Sequence, residues 1–376
     1  MSSDTSPSAV DRLFAYPDVF DFSPEARATF IAAMREMIAF HRQHSPLYEG
    51  LCRLDGFTEA DLKTEEDLQR IPHVIVTAFK EQKILSLPES EIVATFTSSG
   101  TTGSMSQTNL DAISKERQSA MRANIVKSYG LVDDQPVNYL CFSYDPASGG
   151  KRGAAHTHSV YATFAPSNET FYAITQGEDG EPHFRLDACI ETIERYAKSG
   201  LPLRVTGFPA FGWVTLSKLD ELGHRFKFPP NSLLFSGGGW KLHTGKPVPF
   251  DEYVALVQRV LGISRDRIRD VYGMVEHGVP YLTCEKGHFH VPIYGRVWAV
   301  DPGTEDILPY GEVGLFKLIT PYIRSVPCIS VLSTDLGEVR ERCECGRNGP
   351  ILVLHGRGGV KKYDGCAISA AQLLGQ

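Results

Sequence analysis

Residues 95–103 read TFTSSGTTG, a crowd of hydroxyls and glycines placed directly behind the apolar run EIVATF (91–96). Such a loop at the end of a strand suits phosphate. Glycine lets the backbone approach an anion and take positive φ, while consecutive N–H groups and the hydroxyls of Ser98, Ser99, Thr101 and Thr102 aim donors at the same oxygens. The expected ligand is the triphosphate tail of a nucleotide, cradled between Ser98, Gly100 and Gly103. The stretch is not a Walker-type P-loop, which needs a Gly-Lys-Ser/Thr ending that neither Gly100 nor Gly103 begins. Alone it would serve equally well as a polar turn, so its meaning depends on the segments downstream of it.

At 376 residues the chain exceeds the size at which one core usually stops growing, so two or three lobes are expected. A net charge of −7, with Lys and Arg scattered, lacks the basic footprint of a nucleic-acid binder. No apolar run is long enough to span a bilayer and the start, MSSDTSPSAVDR, is not a signal peptide, so a cytoplasmic protein is expected. Eight cysteines in so long a chain point to metal binding or thiol chemistry rather than a disulfide scaffold.

Residues 23–42 predict an amphipathic helix with Ser23 as N-cap and Pro24 in the first turn. Further helical patterns at 114–129, 187–199, 210–223 and 250–262 alternate with apolar runs at 203–206, 232–236 and 268–273, which argues α/β. Beyond about residue 287 closely spaced strand patterns separated by Gly, Pro and Asp turns predict a mostly antiparallel lobe.

Four more segments come after the phosphate loop in order: FSGGGWK (235–241), VYGMVEHG (271–278), VLSTDLGEV (331–339) and HGRGG (355–359). Together with CECGR (343–347) and the terminal Gly365-Cys366, they resemble the adenylate-forming ligase superfamily, most closely its acyl-protein synthetase (LuxE-type) branch, which is related to the phenylacetate-CoA ligases. The resemblance runs from Ser98 to Cys366. It implies an α/β fold: a large adenylate-forming domain over 1–356, with its β-rich lobe from about 287, and a short swinging tail over 357–376 in place of the usual C-terminal domain.

It also implies ATP and Mg²⁺. Activating a carboxylate as acyl-AMP requires holding ATP for in-line attack on the α-phosphorus. Ser98, Ser99, Gly100, Thr101, Thr102 and Gly103 would then hold the β- and γ-phosphates. Gly237, Gly238, Gly239, Tyr272 and Gly273 would face the nucleotide, Glu276 would bind Mg²⁺, and Asp335 would accept from the ribose hydroxyls. The loop ends in Ser104-Met105 where many relatives carry Pro-Lys, and the domain that bears a catalytic lysine is missing, so Lys241 and Arg357 are candidate substitutes.

Cys366 precedes an apolar, helix-like AISAAQLL and comes just after Lys361 and Lys362, a setting that lowers a thiol's pKa. In the resembled branch the cysteine of this Gly-Cys pair accepts the acyl group and delivers it to a protein, an acyl-CoA-reductase-like acceptor. An extended tail at ~3.3 Å per residue carries Cys366 ~30 Å from Arg357. A long-chain fatty acid is the implied substrate, and FPAFGW (208–213) is either part of its pocket or an ordinary helix start. Two other readings remain open: a CoA ligase, separated by CoA dependence, and a non-catalytic nucleotide-binding scaffold, separated by pyrophosphate exchange.

Cys284, His290, Cys343 and Cys345 are expected to close a tetrahedral structural Zn²⁺ site, with His288 as a competitor for the imidazole place and buried free thiols as the alternative reading. His156 and His158 lack thiol or acidic neighbours and are assigned to the substrate pocket or the surface. Cys52, Cys141, Cys189 and Cys328 are assigned to the core.

Overall fold

The computed structural model describes residues 7–97, 106–146, 158–177, 181–239 and 248–357. Ser98 to Gly103, Lys241 and Cys366 lie outside the described residues, as does His156.

The chain opens on helices Ala9–Phe14, Pro24–His44 and Pro46–Leu54, and the second starts where the sequence placed it: the Ser23 hydroxyl accepts from the Ala26 N–H. Strand β1 (Val74–Ile75) precedes a short helix, Ala78–Glu81. The apolar run before the Ser/Thr/Gly segment forms β2 (Ile92–Thr97), which pairs antiparallel with β3 (Gln107–Asp111). Helix Ala112–Ser128 comes next.

After it come β4 (Val137–Tyr144), β5 (Ser167–Gln176), β6 (Pro182–Phe184), helix Leu186–Ser199, β7 (Leu203–Gly207), helix Pro209–Glu221, β8 (Leu233–Gly237), helix Phe250–Leu261 and β9 (Ile268–Tyr272). The remaining strands are β10 (Tyr281–Thr283), β11 (Phe289–His290), β12 (Arg296–Val300), β13 (Val313–Ile319), β14 (Ser330–Arg340) and β15 (Ile351–Arg357).

Thirteen of these strands share one sheet, ordered 12-13-14-15-11-10-9-8-7-4-5-6, with β1 laid parallel on β14. Strands 5-4-7-8-9 are parallel, as helical crossovers require. From β9 to β12 along the sheet every neighbour is antiparallel, as the closely spaced strand patterns predicted, and only β1 on β14 is parallel there. The sheet therefore ends on β12 at one edge and on the three-residue β6, which begins with Pro182, at the other. Because β4 sends the chain first to β5 and then back to β7 on its other side, the strand order reverses between β4 and β7, and the carboxyl ends of these strands form the crevice where α/β sheets bind ligands.

Two apolar cores flank the parallel strands. Val254, Leu256, Val257, Val260 and Leu261 of helix Phe250–Leu261 pack with Leu234 and Ile268 on one of them, while Met121, Ile125 and Val126 of helix Ala112–Ser128 belong to the core that holds Leu233 and Phe235. Cys52, Cys141, Cys189 and Cys328 are buried, as assigned. No helix among the described residues is long and apolar enough to cross a membrane.

The turn after β13 is pinned from below by His41. Its Nε2 donates to the Ile323 carbonyl at 3.0 Å, so its Nδ1 accepts from the Ser86 hydroxyl at 2.8 Å. Burial holds this imidazole down at about 4, below its ordinary 6.5, so the folded protein binds fewer protons than the unfolded chain between those values. The stability that neutral His41 contributes is complete above pH 6.5 and is lost as pH falls toward 4. Denaturant midpoints measured from about pH 7 to about 4.5 should fall steadily, and His41→Gln should be less stable at about pH 7 while showing a shallower fall.

Candidate functional site

The crevice is built from strand ends. At β8 the chain runs out through Gly237 into Gly238 and Gly239, whose φ values of 84° and 83° are the left-handed conformation that glycine tolerates and other residues resist. At β9 it ends on Tyr272, half-buried, with Tyr281 and Phe289 beside its ring at 5.8 and 6.1 Å. The Tyr272 hydroxyl donates to Asp335 Oδ2 at 2.9 Å. Burial, reinforced by the Asp335 charge, pushes the phenol well above its usual range, so it remains a donor. Asp335 stands opposite Arg357 in the β14–β15 pairing. The nucleotide-facing candidates Gly237, Tyr272, Asp335 and Arg357 thus come from two halves of one sheet and meet where parallel order gives way to antiparallel.

Glu276 lies buried in the β9–β10 connection. Burial, and after it Glu276, raise the Cys328 thiol far above its usual range. The connection is closed by Gly278, with φ 73°, whose N–H donates to the Met274 carbonyl at 2.8 Å. A Cβ there would stand 2.1 Å from the Tyr322 hydroxyl, so a larger residue would displace the Glu276 segment.

His158, assigned to the pocket or the surface, is buried at the switch point. Its Nδ1 lies 3.0 Å from Ser143 Oγ on β4, its other nitrogen is bonded to the Gly237 backbone on β8, and its ring meets Phe208 edge-on at 4.9 Å. Burial lowers it to about 4, leaving a neutral ring that clasps two strand ends. Phe208 and Phe211 belong to the core, which favours the helix-start reading of FPAFGW.

Asp270 went unnoticed in the sequence, although an acidic residue inside the apolar run IRDVY is its signal. Its Oδ1 accepts from the Val271 N–H at 2.9 Å and from Ser236 Oγ at 3.2 Å. Enclosure raises its carboxyl to about 7, against the ordinary 3.8. Between those values the folded state holds a proton that the unfolded chain releases, so stability from this group falls as pH rises from about 4 to about 7.

The second cluster lies elsewhere. Cys284 Sγ and Cys343 Sγ are 3.7 Å apart, Cys345 Sγ is 3.2 Å from His290 Nε2, and the four ligand atoms lie within 4.8 Å of one another. A disulfide needs ~2.05 Å, whereas a tetrahedron with ~2.3 Å metal–sulfur bonds has edges of ~3.8 Å, so this spacing fits a metal ion. Burial holds His290 at about 4, in the neutral form that ligates. His288 also approaches, with Nδ1 3.3 Å from Cys343 Sγ, but His290 completes the group of four. The cluster joins the loop before β11 to the β14–β15 connection. At ~3.3 Å per residue it sits ~20 Å along β15 from Arg357, too far to touch a ligand in the crevice.

A family model described as acyl-protein synthetase, LuxE, matches residues 3–375. The chain belongs to that family. It is 27% identical over 335 residues to a long-chain-fatty-acid–luciferin-component ligase of Vibrio harveyi, covering 89% of this chain and 85% of that one. A protein of the same description from Aliivibrio fischeri is 22% identical, over 91% and 87% of the two chains. In fold the chain is similar to 2-hydroxyisobutyryl-CoA ligase in its postadenylation state, with a TM-score of 0.67 and 17% identity over 91% of this chain and 69% of that one. The resemblance found in the motifs is therefore correct, and the protein is a ligase with an adenylate-forming fold.

Asp270→Asn keeps the shape of the protonated carboxyl and removes its titration. The variant should be more stable than the wild type by about 1–3 kcal/mol at about pH 8, with the difference shrinking toward about pH 4 in denaturant melts.

Proposed function

We propose that this acyl-protein synthetase activates a long-chain fatty acid with ATP and passes the acyl group through Cys366 to an acceptor protein. The observation that carries this reading is the meeting of Tyr272, Asp335 and the end of β15 beside the Gly237–Gly239 strand end. In the first step a carboxylate oxygen attacks the α-phosphorus, the bond to the β-phosphate breaks and pyrophosphate leaves. Ser98 to Gly103 would hold the departing phosphates, with Lys241 and Arg357 supplying the positive charge that this segment lacks. Tyr272 and Gly273 would flank adenine. Asp335, oriented by the Tyr272 hydroxyl, would accept from the ribose hydroxyls.

A single buried carboxylate plus substrate phosphates suits Mg²⁺, which keeps several waters and rarely takes a full protein cage. Glu276 would hold that ion, which when bound neutralises charge on the phosphates. In the second step the Cys366 thiolate attacks the acyl carbon, the bond to AMP breaks and AMP leaves. The acceptor would be a reductase-like protein able to take the acyl group from a thioester. The Cys284, His290, Cys343 and Cys345 cluster would hold Zn²⁺ as a structural clip.

Incubating the protein with Mg-ATP and radiolabelled fatty acids, without CoA, should give hydroxylamine-sensitive label on the chain. Cys366→Ser should lose that label and keep carboxylate-dependent exchange of pyrophosphate into ATP. Normal labelling of the variant would remove Cys366 from the mechanism, and AMP release that requires CoA would make the enzyme a CoA ligase. Asp335→Asn is expected to weaken nucleotide binding ~10-fold or more, through loss of a charge-assisted hydrogen bond. Metal analysis after dialysis should find about one zinc per chain, removed by Cys284→Ser together with a lowered Tm; less than half an equivalent in the wild type would sink the zinc assignment.

A further inference from the structure

Helix Ala112–Ser128 sorts its polar residues by face. Arg117 donates to Asp11 at 2.8 Å and Asn124 to the Phe14 carbonyl at 3.4 Å, so the face they share looks toward the first helix, Ala9–Phe14. Gln118, Arg122 and Val126, at successive turns, share another face. At one end of that face Gln118 is buried, its Nε2 donates to the Tyr322 hydroxyl at 3.2 Å, and a Cβ on Gly278 would stand 2.9 Å from the same nitrogen. This end packs on the connection that carries Glu276. At the other end buried Val126 lines a small cavity with Leu233 and Phe235 of β8 and with Tyr161.

The helix therefore runs against β8. Val126 is level with the body of that strand, and each turn from there toward Gln118 advances ~6 Å, the rise of about two strand residues. Arg122, one turn before Val126, thus stands close to the level of the strand end at Gly237, and Gln118 stands beyond it. Arg122 also differs from its neighbours in the row. They are buried, whereas Arg122 is half-buried, and its Nη2 donates to Gln118 Oε1 at 2.6 Å. No carboxylate among the described residues neutralises its charge.

The reaction sets two anions side by side. A carboxylate must approach the α-phosphorus of a polyanion, and their repulsion grows as the crevice excludes water. Mg²⁺ on Glu276, with Lys241 and Arg357, would serve the phosphates, and none of these is a counter-charge for the acid. A guanidinium suits that part, because its planar fork meets a carboxylate in two parallel N–H···O bonds. Position suits it too. Arg122 stands between the level of the Gly237 strand end and the Glu276 connection, the two elements that would flank the reacting atoms, and Gln118, itself bonded to Tyr322, fixes one side of the fork.

We infer that Arg122 binds the carboxylate of the fatty acid and holds it for attack on the α-phosphorus, with Gln118 and Tyr322 as the positioning residues that aim it. This deepens the proposed function and rests on it. An acid bound in this way is oriented before ATP is attacked, so Arg122 acts on the use of the acid and not on the hold on ATP.

The test is carboxylate-dependent pyrophosphate exchange with the fatty acid that the wild type uses best. Arg122→Gln should raise the acid concentration for half-maximal exchange by ~10–100-fold, the loss of a bidentate charge-assisted pair, and the corresponding ATP concentration by less than ~3-fold. Arg122→Lys keeps the charge without the fork and should fall between the wild type and Arg122→Gln. Gln118→Leu leaves the guanidinium present but unaimed and should raise the acid value several-fold. Mg-ATP should raise the Tm of each variant as it does that of the wild type, which shows an intact fold and nucleotide site. An acid value within ~3-fold of the wild type in both Arg122 variants would overturn the inference, and an ATP value that rises as much as the acid value would give Arg122 to the phosphates instead. If Arg122→Gln does not fold, Arg122→Lys decides by the same two values. Wild-type protein that exchanges pyrophosphate with none of the acids sinks adenylation and the inference with it, whereas exchange untouched by the Arg122 substitutions sinks this inference alone.

Discussion

The hydrogen bond from the Tyr272 hydroxyl to Asp335 ties together two differently built halves of one sheet. Tyr272 ends the last parallel strand, and Asp335 lies on β14, several strands away in the antiparallel half. The parallel strands supply Gly237 and Tyr272, and the antiparallel strands supply Asp335, whose backbone stands opposite that of Arg357. Burial keeps the phenol protonated, so the link stays a donor–acceptor pair across the physiological range.

Much of this was legible in the sequence, for identifiable reasons. Helix Pro24–His44 could be read from its cap and its period, and helices Leu186–Ser199 and Phe250–Leu261 from apolar stripes that each pack on a single core. The grouping of Cys284, His290, Cys343 and Cys345 was readable because Cys and His in turn-rich segments have few other uses. Strand β4 was not readable. VNYLCFSY is buried almost throughout, so it has no alternation to betray it, and with it went the switch point it defines. His158 was singled out, but its burial and its partners, Ser143 and the Gly237 backbone, were not readable, because they come from strands distant in sequence.

The thiol cluster serves a different need. The strand beside it, β11, is two residues long and is held between β10 and β15 by few ladder bonds. Around it the Phe20 ring stands edge-on to His290 at 5.7 Å, and the Arg347 guanidinium lies over Tyr129 at 4.6 Å, so the N-terminal segment and helix Ala112–Ser128 converge on the same knot. An ion at this point would hold the start of β15 in register, and that register sets where Arg357 emerges opposite Asp335.

The sheet's outer boundaries have a consequence for solution behaviour. A row of unpaired backbone groups invites another chain to add a strand, and long flat edges are a recurrent cause of aggregation. Here the longest strands, β14 and β5, are paired on both sides, and the described edges are the five-residue β12 and the three-residue β6. The β12 edge is partly occupied by the bridge from Val300 to Ile307, and the β6 edge opens on Pro182, which has no N–H to offer. Along its described edges this sheet thus presents little template for another chain to add a strand, which keeps its own edges from seeding strand-to-strand association.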